Sequence, residues 1–204
     1  MRPRPTDTAA TDDGARALLA LAQGGDADAF VAFVRLTEAG VVAVLRRLLD
    51  DARDVEEAAQ DVFVQAWRNL ARFRGDSAPF TWLYRIAVNE ALQRRRRRRV
   101  DTTPLEPGAG RDAITWIAAG GERGPADAVA ESRELRSTLG RLLRDLPSDQ
   151  RAAVVLRDVV GLSNQEVADV LETTLPAAKA RIHRGRMALR ERLEQHRDNK
   201  PSER

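Results

Sequence analysis

The sequence predicts an all-α protein: two small helical domains joined by a flexible linker. Three observations predict it. Apolar residues recur at three- and four-residue steps through most of the chain. No alternating apolar–polar run or hairpin turn signal interrupts them. One Pro/Gly-rich stretch near the middle breaks the periodicity in two.

Taken in order, residues 1–15 are expected to be a disordered tail, polar and without an apolar stripe. The first domain is expected over 16–100. It opens with "ALLALAQ", which runs to a Gly24–Gly25 break. "DADAFVAFVRLTEAGVVAVLRRLL" follows, a helix with Phe30, Phe33, Val34, Val41, Val44, Leu45 and Leu48 on one side and a candidate kink at Gly40. "DARDVEEAAQDVFVQAWRNL" is a third helix. Its apolar stripe is Val55, Ala59, Val62, Phe63, Ala66 and Leu70, with acids on the other face. "FRGDSAP" is a loop by its Gly, Asp, Ser and Pro. A helix then runs from about Pro79 into six consecutive arginines, Arg94 to Arg99.

Residues 101–127 hold three prolines and five glycines and are expected to be the linker, with Trp116 and Ile117 as a docking point inside it. Helices resume in a second domain over 128–197, followed by a tail over 198–204. "PSDQRAAVVLRDVVG" is a short helix ending at Gly161. "LSNQEVADVLETT" begins with a capping box, Ser163-x-x-Glu166, in which each side chain bonds the other residue's backbone N–H. The last helix, "LPAAKARIHRGRMALRERLEQH", turns Ala178, Ile182, Gly185, Leu189 and Leu193 inward.

Composition excludes several classes of function. With no cysteine there are no disulfides, thiolate metal sites or cysteine nucleophiles. Two histidines, His183 and His196, argue against zinc. No Gly-rich phosphate loop, metal-ligand cluster or serine elbow supports a hydrolytic enzyme. No apolar run is long enough to cross a membrane, and the polar N-terminus lacks a signal-peptide core, so a cytoplasmic protein is expected.

Charge is segregated rather than large. The net charge is +3. From Asp50 to Asp61, six acids face one base, Arg53. From Lys179 to Arg192, six bases face one acid, Glu191. Two kinds of partner are expected, one taking acid and one taking base. A short capped helix, the turn Glu172–Thr174 and a longer basic helix make a helix-turn-helix pattern, whose second helix suits the major groove of duplex DNA. Phe80, Trp82 and Tyr84 stand at alternate positions before the arginines. Alternate helical residues diverge by about 200°, so at least one ring should be partly exposed. Exposed rings beside arginines suit unpaired bases, which stack on them.

Together these segments resemble a known family. "DVEEAAQDVFVQAWRNLARFRGDSAPFTWLYRIAVN" with Arg94–Arg99 resembles region 2 of the extracytoplasmic-function (ECF) RNA polymerase sigma factors, of the sigma-70 family. "LPSDQRAAVVLRDVVGLSNQEVADVLETTLPAAKARIHRGRMALRERL" resembles their region 4. The resemblance spans nearly all of residues 25–195. It implies a sigma factor that binds core RNA polymerase, directs it to promoters and helps open the −10 element, in the context of a stress response.

It also implies roles for residues. Asp54, Glu57, Gln60, Asp61 and Phe63 would bind the core polymerase. Arg74, Asp76, Ser77, Phe80, Trp82, Arg85 and Asn89 would take the single-stranded −10 element. Ser163, Lys179, Arg181, His183, Arg184 and Arg186 would read the −35 duplex. An anti-sigma factor is an implied partner. No cofactor, metal, small-molecule substrate, catalytic residue or membrane insertion is implied. Val88 stands where the family usually has Arg, and Ala177 and Ala180 replace hydroxyl residues, so promoter preference does not carry over. The alternative is a stand-alone helix-turn-helix regulator of duplex DNA. It leaves the acidic helix and the aromatic–arginine junction without a task.

Overall fold

The computed structural model of the 204-residue chain describes residues 5–101 and 138–198. The expected linker with Trp116 and Ile117, the start of the second domain and the C-terminal tail from 199 on lie outside them. Helix α1 spans Pro5–Gln23, α2 Ala27–Leu48, α3 Ala52–Asn69 and α4 Pro79–Asp101. In the second part, residues 138–144 form α5. Helix α6 spans Ser148–Val154 and passes directly into a π-helical stretch, Val155–Val160. Helix α7 spans Asn164–Val170 and α8 Leu175–Asp198. No strand occurs among the described residues.

Local chemistry starts and stops these helices. Asp26 caps α2 through the Ala29 N–H, and Asp51 caps α3 through the Arg53 N–H. The Ser163–Glu166 capping box forms as expected, with Glu166 N–H to Ser163 Oγ at 3.2 Å and Ser163 N–H to Glu166 at 2.7 Å. Gly25 (φ 100°) ends the turn after α1, and Gly161 (φ 92°) ends the π-helical stretch. Both hold backbone conformations that a side chain disfavours.

In the first domain α2 is central and packs on α1, α3 and α4. Phe33, Val41, Val44, Leu45 and Leu48 of α2 meet Leu19 of α1, Val62 and Ala66 of α3, and Leu83 and Ala87 of α4 in one core. Gly40 does not break α2. It makes room for Tyr84: a Cβ there would stand 2.7 Å from the tyrosine oxygen. In the second domain α8 lies across α6 and α7. Gly185 permits the crossing, since a Cβ would meet Val154 at 2.6 Å.

One expectation needs correction, the tail over 1–15: α1 begins at Pro5, and Ala15 is fully buried in the core. The polar start hid a helix whose buried stripe, Ala15, Leu19 and Ala22, packs on α2, on α4 and on the turn Leu70–Arg72 after α3. The two domains also touch one another directly. They share one continuous core cluster, and α7 packs on α4 while the π-helical stretch packs on α2. Arg151 of α6, 1% exposed, joins them. Its Nε donates to the Arg47 carbonyl of α2, and its Nη2 pairs with Asp50 at 3.2 Å.

Candidate functional site

The loop Phe73–Pro79 and the first turns of α4 hold the residues expected at the −10 element. Arg74, Asp76 and Asn89 are exposed, and Ser77, Phe80, Trp82 and Arg85 are half-buried. Trp82 leans on Phe73, with ring centroids 5.0 Å apart at 45°. Phe80 sits 6.3 Å from Tyr84, which is buried. Tyr84 is buried, while Phe80, one turn before it on the same face, and Trp82, on the other side, are only partly covered by the core, so rings here are partly exposed as expected. Arg85 Nε is buried without a hydrogen-bond partner among the described residues. Val88, where the family usually has Arg, is fully buried in the core.

Sequence reasoning missed what holds this loop, namely α1. Gln23 donates to the carbonyls of Leu70 (2.8 Å) and Phe73 (2.7 Å), and Arg16 donates to that of Gly75 (3.1 Å). Asp12 approaches the Phe80 N–H at the start of α4. Burial, then the nearby Glu166 carboxylate, pushes the Asp12 carboxyl above its ordinary 3.8. Nothing in local sequence marks these contacts, since residues 47 to 68 positions apart make them.

The acidic face of α3 is largely spoken for within the chain. Arg94 pairs with Glu57 at 3.1 Å, with Asp61 and with the buried Glu90 at 2.7 Å. Arg98, one turn on, pairs with Asp51 at 3.3 Å and Asp54 at 3.0 Å. Burial opposes the Arg94 charge, but hydrogen bonds to Glu90, Glu57 and Asp61 outweigh it and raise its pKa. So three of the five residues expected to bind the polymerase, Asp54, Glu57 and Asp61, brace α3 against α4. The other two, Gln60 and Phe63, look out on a different surface. They line a groove of ≈ 820 Å³ between α2 and α3 with an apolar floor of Val34, Val42, Leu49 and Val55, rimmed by Glu38 and Glu56. Such a groove takes an amphipathic helix.

On α8, Lys179, His183 and Arg184 are exposed. Arg186 is forked onto Asp158, with Nε at 2.9 Å, which raises its pKa through those hydrogen bonds. Arg181 pairs with Asp149 at 3.4 Å. Ser163 serves as the cap of α7, and its hydroxyl accepts the Glu166 N–H. Of the five α8 residues expected at the duplex, three therefore face outward with no ion pair among the described residues, and two, Arg181 and Arg186, pair within their own domain.

Comparison with known proteins matches both halves. Residues 33–100 match the family model for sigma-70 region 2, and residues 136–189 that for sigma-70 region 4. The RNA polymerase sigma-H factor of Pseudomonas aeruginosa is 33% identical, over 90% of this chain and 96% of its own. The ECF sigma factor SigW of Bacillus subtilis is 35% identical over 83% and 91%. The ECF sigma-E factor of Escherichia coli is 35% identical over 82% and 87%. CnrH, solved in complex with the cytosolic domain of CnrY, superposes with a TM-score of 0.65 at 27% identity, over 90% of this chain and 99% of that one.

Proposed function

Since the chain belongs to the ECF sigma factors of the sigma-70 family, we propose that it meets its partners through separate helices. The protein binds core RNA polymerase and directs it to promoters. The polymerase joins nucleotides, and this chain selects where. A helical element of the polymerase enters the α2–α3 groove over Gln60 and Phe63, while the α3 acids keep that helix braced from behind. The loop Phe73–Pro79 and the start of α4 hold an unpaired base, with Trp82 and Phe80 supplying stacking surface. Unstacking costs a few kcal/mol, which stacking and phosphate contacts offset. Lys179, His183 and Arg184 face the −35 duplex. An anti-sigma factor would compete for the same groove, in the cytoplasm where the polymerase works.

One observation carries this reading. The matches to regions 2 and 4 fall on two helical domains, and each domain exposes a surface of the chemistry its task needs. A stand-alone regulator would have no use for region 2. The test is transcription in vitro with purified core polymerase and mapped start sites. Phe63→Asp should abolish capture of the core enzyme while circular dichroism stays unchanged. Full capture by that variant would remove the groove from the interface.

A further inference from the structure

The arginine run is used on more than one side. Arg94 and Arg98 face the acids of α3. Arg95 and Arg96 instead line a cleft of ≈ 460 Å³ between the end of α4 and the second domain. The opposite wall carries Arg144 of α5 and Arg192 of α8. Four guanidinium groups thus face a single lining carboxylate, Asp145. Among the described residues, Arg95, Arg96 and Arg144 form no ion pair. Arg192 Nη2 reaches only the Asp145 carbonyl, at 3.3 Å, and its Nη1 is buried without an acceptor. Arg95 and Arg144 also lie close enough to the buried Arg151 for the like charges to repel.

Uncompensated charge at this density calls for an anion. Guanidinium forks match phosphate oxygens two at a time, which a carboxylate-poor wall leaves free to happen. The volume falls in the usual range for small ligands, about 300–1,000 Å³, and a DNA duplex is far too wide to enter. We propose that the cleft binds a free polyphosphate anion, two or three linked phosphoryl groups alone or on a nucleoside. Because both domains supply arginines, the bound anion holds them together and favours the packed arrangement by mass action.

The full chain should be titrated with inorganic triphosphate by calorimetry at physiological ionic strength. One site is expected. Arg144→Ala with Arg192→Ala should weaken it by about tenfold or more. Arg35→Ala with Arg68→Ala removes the same charge from exposed positions outside the cleft and should change affinity less than about twofold. If the double cleft variant unfolds, the exposed Arg96→Ala alone should still weaken binding while melting normally. A parallel titration with adenosine triphosphate separates the sources. Tighter binding assigns the anion to a nucleotide, and equal binding to the phosphate chain alone. No binding of either probe, or equal loss in the cleft and control variants, overturns the proposal. So does displacement of triphosphate by short duplex DNA that depends on Arg144 and Arg192, since the cleft would then serve the DNA backbone.

Discussion

Trp82 shows what a half-buried ring can be asked to do. It rests on Phe73 and keeps one side open, so Trp82→Ala should cost less than the roughly 3–5 kcal/mol of a fully buried Trp. Binding of −35 duplex should survive. Open-complex formation, followed by permanganate reactivity of unpaired thymines, should fall, and a pre-melted bubble should partly restore it. Failure on bubble and duplex alike would make Trp82 a plain structural residue. On α8 the ion pairs make a finer distinction. Lys179→Ala and Arg184→Ala should each reduce the salt dependence of duplex binding by about one unit. Arg186→Ala should reduce it less, because Asp158 already holds that guanidinium.

At the scale of elements, the α3–α4 seam rests on Arg94. Its removal leaves Glu90, 6% exposed, with only Gln65 at 2.8 Å as a partner. Arg94→Ala should therefore cost about 2 kcal/mol or more in urea unfolding, well beyond an ordinary surface pair. Pairing it with Glu90→Gln should recover part of the loss. Reversing Asp54, Glu57 and Asp61 together would unsettle the same seam, so lost polymerase binding in that variant would not identify a contact. The loop before α4 depends on α1 in the same way. Gln23→Ala removes the side-chain donor shared by the Leu70 and Phe73 carbonyls, of which Leu70 keeps the Phe73 N–H, and should impair promoter melting while −35 binding persists.

For the whole molecule, the joint between domains is a buried charge. Burial pushes the Arg151 guanidinium down to about 10, against the pull of Asp50, so it stays charged at neutral pH. Asp50→Asn leaves that charge uncompensated and should open the two domains, seen as a larger radius of gyration by small-angle scattering. Arg151→Met should leave them packed, because half-exposed Asp50 can be hydrated instead. Asp12 adds a pH dependence of known sign. Its carboxyl is raised in the packed protein, so that state holds the proton more tightly than the unfolded chain. Stability should fall as pH rises from about 3.8 through the raised value, then level off. Asp12→Asn should remove that portion of the slope from urea midpoints measured across the range.

By itself the sequence determined the helical class, most element boundaries, the capping box, the helix-turn-helix and the family. These depend on spacing of three and four residues, on caps and on turn residues, all local properties that a chain carries openly. It also pointed to Trp82 and to the basic face of α8. Tertiary structure alone decided how the charges are used. Arg94 lies 33 and 37 residues from Asp61 and Glu57, and Arg151 lies 101 from Asp50. No periodicity records such distances, so an acidic face and an arginine run read as two surfaces for outside partners when they are in large part partners of each other. The polar start of α1 was unreadable for a related reason. A helix earns its place there by packing on α2 and α4 and by holding a loop, and both depend on residues it meets only after the chain has folded.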